Sequence, residues 1–304
     1  MYGKSKQCFY YASILVAYLS LSAAAEGRGI ELVNRCRETI WIGSQGKPVP
    51  FGGGFELGAG QTSVQNIAGN TVAGRIWART GCRWTGGRFV CETGDCGGFN
   101  CGERGGLPPA TLAEFTFQEG GNKNDFYDLS NVDGYNIGLK MEPIGRSVDA
   151  QDPFKCGAPS CTMDMSACPE ELKMTKGGFT VCASICAAIN NGEQRAKFRV
   201  LSDIYANPET RALVCCACWC PQSVIGACNC ANPSSKYCCS PYNKPSPLEN
   251  GGKCRVEEWP RASNGKEYHR VFKDVCPQAY SWQFDDHKST YQCAQPDYRI
   301  IFCP

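Results

Sequence analysis

Residues 87–101 read GRFVCETGDCGGFNC, placing Cys91, Cys96 and Cys101 so close together that only a tight, loop-rich knot held by covalent bonds accommodates them. Gly94, Gly97 and Gly98 punctuate the run, and glycine supplies the positive-φ backbone that such a knot requires. Asp95 inside it reads as a turn former. The same constraint runs through the whole chain: of 23 cysteines, Cys8 lies in an apolar leader, leaving an even 22. In an oxidising compartment these are expected to pair as disulfides. The CxC and CxxC spacings among Cys215, Cys216, Cys218, Cys220, Cys228 and Cys230 would also suit zinc, but oxidation is the favoured fate of a secreted cysteine, and neither a metal nor a cofactor is expected.

Residues 1–25 read as a secretory signal: Lys4 and Lys6, an apolar run from Cys8 to Leu21, and Ala23-Ala24-Ala25 as a small-residue cleavage site. That run is shorter than the roughly 20 residues that span a bilayer. The expectation is a secreted, extracellular protein, monomeric and not embedded in a membrane. Without Lys4 and Lys6 the 31 basic residues fall to 29, equal to the acidic count. A global basic field that would gather nucleic acid is therefore absent, and no nucleic-acid partner is expected.

Along the mature chain the apolar residues alternate. Ile30, Leu32 and Asn34 share one face of an extended segment, and Thr39-Ile40-Trp41-Ile42 starts another. In Gly74–Arg79 the period of two sends Ile76 and Ala78 to a core face and Arg75, Trp77 and Arg79 to the other, read as a polar-aromatic surface. In Thr111–Phe117 it sends Ala113, Phe115 and Phe117 inward and Glu114 outward. Short strands between Gly- and Pro-rich turns predict a mainly β fold, a flattened antiparallel β-sandwich. From Cys156 the alternation fades and helix-like runs appear at Pro169–Leu172 and around Val181–Ile189. The expected division is a sandwich of residues 26–154 plus 277–304, with a disulfide-rich loop and helix subdomain at 155–276.

The knot closely resembles the signature of the thaumatin-like proteins, a family of plant defence proteins with relatives in animals and fungi; every fixed position, including the Cys-x-Thr-Gly-Asp-Cys step, is filled. IELVNRC, GRIWARTGC, LPPATLAEF and YRIIFCP also resemble the family. The resemblance implies the sandwich fold and the bridges Cys36–Cys303, Cys82–Cys91, Cys96–Cys101, Cys156–Cys293, Cys161–Cys276, Cys168–Cys182, Cys186–Cys238 and Cys239–Cys254. Residues 187–236 have no counterpart in the plant proteins, and their six cysteines are expected to pair among themselves.

The family also implies a cleft lined by Arg75, Glu114, Asp128, Asp133 and Asp286. Antifungal members carry such a cleft, and the set would suit a neutral glucan, so β-1,3-glucan or another cell-wall polysaccharide is the expected partner. The family's CPDAYSY stands here as CPQAYSW, with Gln278 and Trp282, which alters the rim and leaves the acidic set intact. Carboxylates accept hydrogen bonds from sugar hydroxyls, and crowding raises at least one pKa. Glu114 as acid and Asp133 as base would form the two-carboxylate arrangement of glycosidases. Trp77, Phe126, Tyr127 and Trp282 are candidate stacking residues. His269 and His287 lack a third partner for metal binding.

Three functions compete on these residues. The first is a β-1,3-glucan-binding antifungal protein, the second a slow endo-β-1,3-glucanase using the same cleft. The third is a protein-binding scaffold acting through the insertion, which carries Leu213, Val214 and Trp219.

Overall fold

The computed structural model describes residues 27–121, 123–215, 259–283 and 285–304. The expected leader, Trp219 and every cysteine from Cys216 to Cys254 lie outside the described residues. Two sheets face each other. The first runs in the order β11 (Ser160–Cys161), β10 (Leu139–Ile144), β15 (Asp297–Phe302), β1 (Arg28–Asn34) and β4 (Thr62–Ile67). The second runs β14 (Tyr291–Cys293), β9 (Asp125–Ser130), β8 (Leu112–Thr116), β5 (Val72–Arg79), β2 (Ile40–Lys47) and β3 (Gly54–Leu57). Among the described residues, two hairpins complete the strands: β6 (Arg83–Thr85) with β7 (Arg88–Val90), and β12 (Lys173–Lys176) with β13 (Phe179–Cys182).

Alternation decides what each strand buries. Ile30, Leu32 and Asn34 of β1 are fully buried, as are Ile42, Ile76, Ala113, Tyr127 and Leu129 of the second sheet. Phe117, Tyr127 and Tyr298 join the sheets through ring contacts of 5.5 Å and 5.1 Å between centroids. A buried ion pair crosses the same space: Arg28 Nε donates to Asp125 Oδ2 at 2.8 Å, and Tyr298 and the Gln118 amide also donate to that carboxylate. The sandwich is antiparallel except where β1 pairs β15 in parallel. A parallel pair needs a long crossover, and here nearly the whole chain supplies it. Cys36–Cys303, with Cα atoms 5.1 Å apart, then ties the end of β1 to the end of β15.

The helix-like reading of Val181 is corrected. Val181 belongs to β13, because Gly177 and Gly178, both at positive φ, turn the chain into a hairpin whose strands carry Thr175, Thr180 and Val181. Pro169–Leu172 is a turn. The first α-helix among the described residues, α1 (Ile185–Asn190), starts after Ser184, whose Oγ accepts from the Ala187 amide at 3.2 Å. α2 (Gly192–Lys197), α3 (Arg199–Ala206) and α4 (Pro208–Cys215) follow, with Asn191 and Asn207 capping α2 and α4. A short α5 (Arg270–Lys273) lies beyond. Ile185, Ile189, Leu201 and Val214 are buried together, so Val214 is core and not a docking surface. Glu171 fastens this region to the returning chain: it accepts from the Ser263 amide and hydroxyl and from Tyr268 Oη.

Seven disulfides join the described residues: Cys36–Cys303, Cys82–Cys91, Cys96–Cys101, Cys156–Cys293, Cys161–Cys276, Cys168–Cys182 and Cys186–Cys215. The last corrects the expected Cys186–Cys238. The helices fold back so that the end of α4 meets the start of α1, bringing the two Cα atoms to 4.8 Å. Cys215 is thereby removed from any zinc site. Proteolysis without reduction, followed by mass spectrometry, is expected to recover a Cys186–Cys215 linked peptide. Replacing both residues by serine should lower stability by about 2–3 kcal/mol in chemical denaturation.

Candidate functional site: an acidic groove on the second sheet

The outer face of the second sheet carries a groove of about 490 Å³ lined by Arg75, Glu114, Asp128, Asp133 and Asp286. Strand register brings the first three together. Arg75 of β5 lies opposite Glu114 of β8, and Glu114 lies opposite Asp128 of β9, so the three side chains form a row across adjacent strands. Arg75 Nε meets Glu114 Oε1 at 2.7 Å. The alternation that buries Ala113 and Phe115 is what turns Glu114 outward.

Asp133 and Asp286 reach the row from loops. Asp133 precedes Gly134, whose φ of +93° and whose closeness to the Cys182 carbonyl leave no room for a side chain. Gly134 donates its amide to Asn131 O at 2.8 Å, closing the turn that presents Asp133. Asp286 begins a 3₁₀ turn and accepts a 2.7 Å hydrogen bond from Tyr280 Oη. Tyr280 is itself fixed beside β9, since its amide donates to Leu129 O and its carbonyl accepts from the Asn131 amide.

Crowding four carboxylates around one arginine shapes their protonation. Burial raises the pKa of Asp128 well above the ordinary range, and the charges of Glu114 and Asp286 add to the rise against the pull of Arg75. Asp128 Oδ1 is buried without a hydrogen-bond partner among the described residues. Burial also raises Glu114, opposed by Arg75 and by a hydrogen bond from Ser130 and reinforced by Asp133. Asp133 is raised by burial and lowered less by Arg75. The groove thus presents carboxyls that hold protons to higher pH than isolated ones do, beside a guanidinium that limits the repulsion.

The aromatic candidates divide. Phe126 is 40% exposed and lines the groove, whereas Trp77, Tyr127 and Trp282 are buried. Trp77 lies under the Cys96–Cys101 knot, its Nε1 donating to Gly94 O at 2.8 Å. Sequence reasoning did not assign Ser130, Tyr280 or Gln283, all of which line the groove. The hydroxyl of Tyr280, six positions before Asp286 in one motif, was the available signal. Gln283 Nε2 donates to Cys215 O at 3.0 Å, which ties the last residue of α4 to the groove wall.

A disulfide-stapled β-sandwich with an acidic groove on one sheet is the class of protein that fold and site define. Residues 34–197 and 207–304 match the Thaumatin family, and the chain belongs to that family. It is 34% identical to pathogenesis-related thaumatin-like protein 3.5 of Cryptomeria japonica, over 96% of this chain and 97% of that protein. It is 33% identical to pathogenesis-related protein 5 of Arabidopsis thaliana, over 96% of each. Among solved structures, a laminaripentaose-producing β-1,3-glucanase in complex with laminaritetraose aligns with 90% of this chain and 98% of its own. At 12% identity and a TM-score of 0.47 that likeness carries no inference to this chain.

Proposed function

We propose that this protein is a secreted defence protein that binds β-1,3-glucan of fungal walls in the acidic groove. The observation that carries the reading is the row Arg75, Glu114, Asp128 on adjacent strands, closed by Asp133 and Asp286. Such a row offers closely spaced acceptors, and one donor fork, to the hydroxyls of a neutral sugar. The exposed ring of Phe126 adds an apolar face for a pyranose ring. Placement on strands holds Arg75, Glu114 and Asp128 in fixed register, so little ordering cost is incurred there on binding. Membership of a family whose relatives bear pathogenesis-related names supports the defence role.

Slow endo-β-1,3-glucanase activity is the second reading, favoured by the upward shift of Glu114. In that reaction the Glu114 carboxyl donates its proton to the glycosidic oxygen as the C–O bond breaks. The Asp133 carboxylate takes a proton from the water that attacks the sugar carbon. Incubation with insoluble β-1,3-glucan, reading both depletion from solution and released reducing ends, tests the pair. Depletion without release is the expected result for the binding protein. Release that Glu114→Gln abolishes supports the hydrolase, and neither depletion nor release refutes both.

A further inference from the structure

β5 carries Arg75 in the groove and, farther along the same outer face, Arg79. Four residues of strand separate them, about 13 Å. Phe89 closes over Arg79, with the guanidinium 5.5 Å from its ring centroid. Phe89 is also the hub of an aromatic array: Trp41 lies 6.1 Å, Trp84 5.3 Å and Phe99 5.1 Å away, all edge-on. Phe89 is buried, but Trp84 is 65% exposed and Phe99 37% exposed.

The base under these rings is stiff. Trp84 and Phe89 are a cross-strand pair of the β6–β7 hairpin, which Cys82–Cys91 closes covalently at its open end. Trp41 stands on β2 opposite Arg79, so the array rests on the same sheet face as the groove, with the Cys96–Cys101 knot covering Trp77 between them. A large aromatic ring held in water on rigid strands, on the same sheet face as a proposed sugar groove, is a stacking surface for the apolar face of a sugar. A membrane surface would call for several unpaired basic residues around the rings; of the two arginines on this hairpin, Arg83 is paired with Glu92, which leaves Arg88.

We infer that Trp84 and Phe99 form a second subsite for the same polysaccharide, stacking on glucose units of a long chain whose other units occupy the acidic groove. The inference rests on the glucan reading of that groove. The array gives the protein a preference for long chains over short oligomers, since a short oligomer fills the groove without crossing the knot.

Binding of a β-1,3-linked glucose trimer and of a long soluble β-1,3-glucan is measured for the wild type, Trp84→Ala and Trp84→Phe. Trp84→Ala is expected to weaken long-chain binding about three- to tenfold, the loss of one aromatic contact. Trimer affinity should stay unchanged, and Trp84→Phe should recover part of the long-chain loss. Long-chain affinity unaltered in Trp84→Ala, with the trimer still bound, overturns this inference alone; an equal loss for both ligands overturns it as well. A wild type that binds neither ligand defeats the groove reading and this inference with it. Tighter, Trp84-dependent binding to phosphatidylserine vesicles than to glucan would assign the rings to a lipid surface instead.

Discussion

Replacing Arg79 by alanine is expected to lower the unfolding free energy by about 3–5 kcal/mol, the combined cost of carbonyls that lose a charged donor and of the void left where the side chain stood. The guanidinium is fully buried. Its Nη1 donates to Gly98 O at 2.8 Å, and its Nη2 donates to Phe99 O at 2.8 Å and Ile42 O at 3.1 Å. Those carbonyls belong to the knot and to β2, so this one side chain fastens the knot to the sheet. Burial pulls its pKa down to about 10, with Asp95 opposing, so the group stays charged at neutral pH. Alanine would take the guanidinium donor from one buried carbonyl, Ile42 O, and from two part-buried ones, Gly98 O and Phe99 O, and leave a void beneath Phe89. Urea unfolding read by tryptophan fluorescence measures the loss. Arg79→Lys should restore only part of it, because one ammonium lacks the planar fork that reaches both segments. A loss below about 1 kcal/mol, the scale of a single exposed ion pair, would contradict the account.

Asp128→Asn is expected to abolish most glucan binding while making the protein more stable at neutral pH, by about 1–2 kcal/mol. Burial first, and then the Glu114 and Asp286 charges, raise the folded pKa of Asp128. A raised carboxyl binds its proton more tightly in the folded state than in the unfolded chain. Its cost is therefore absent below about pH 3.9, the ordinary Asp value, grows as pH rises, and is complete once pH exceeds the raised folded value. Asparagine removes that cost, so the melting-temperature difference between variant and wild type should be large near neutrality and vanish in acid. A gain independent of pH would mean that packing, not charge, is what the substitution relieves. The same change removes an acceptor from the middle of the row, where Glu114 and Asp286 flank it, and should weaken glucan binding at least about tenfold.

Much of this molecule is legible in its residues. Alternation in Arg28–Asn34 and Leu112–Thr116 sorted buried from outward positions, because a strand's period of two leaves little choice once one face meets a core. The same rule failed at Trp77 and Arg79. Both point away from the sandwich core, as their period requires, yet the knot folds back over them and builds a second small core with Cys96, Cys101, Ala110 and Leu112 around Trp77. No local pattern reports that a distant loop will cover an outward face. Cys186 illustrates the same limit. Its partner is set by how α1 and α4 pack, and spacing alone does not encode that. Of the groove, the charged residues were readable by family resemblance. Ser130, Tyr280 and Gln283 were not, because a hydroxyl or amide gains a role there only through the strand and turn placed beside it.

The most direct test of the central claim is calorimetric titration of a soluble β-1,3-glucose oligomer into the wild type and into Glu114→Gln, with circular dichroism confirming that the variant is folded. Glutamine keeps the shape of the side chain but removes the charge that faces Arg75. The account predicts saturable binding by the wild type and an affinity at least about tenfold weaker in the variant. Equal affinity in the two proteins, or no heat of binding in either, would contradict it.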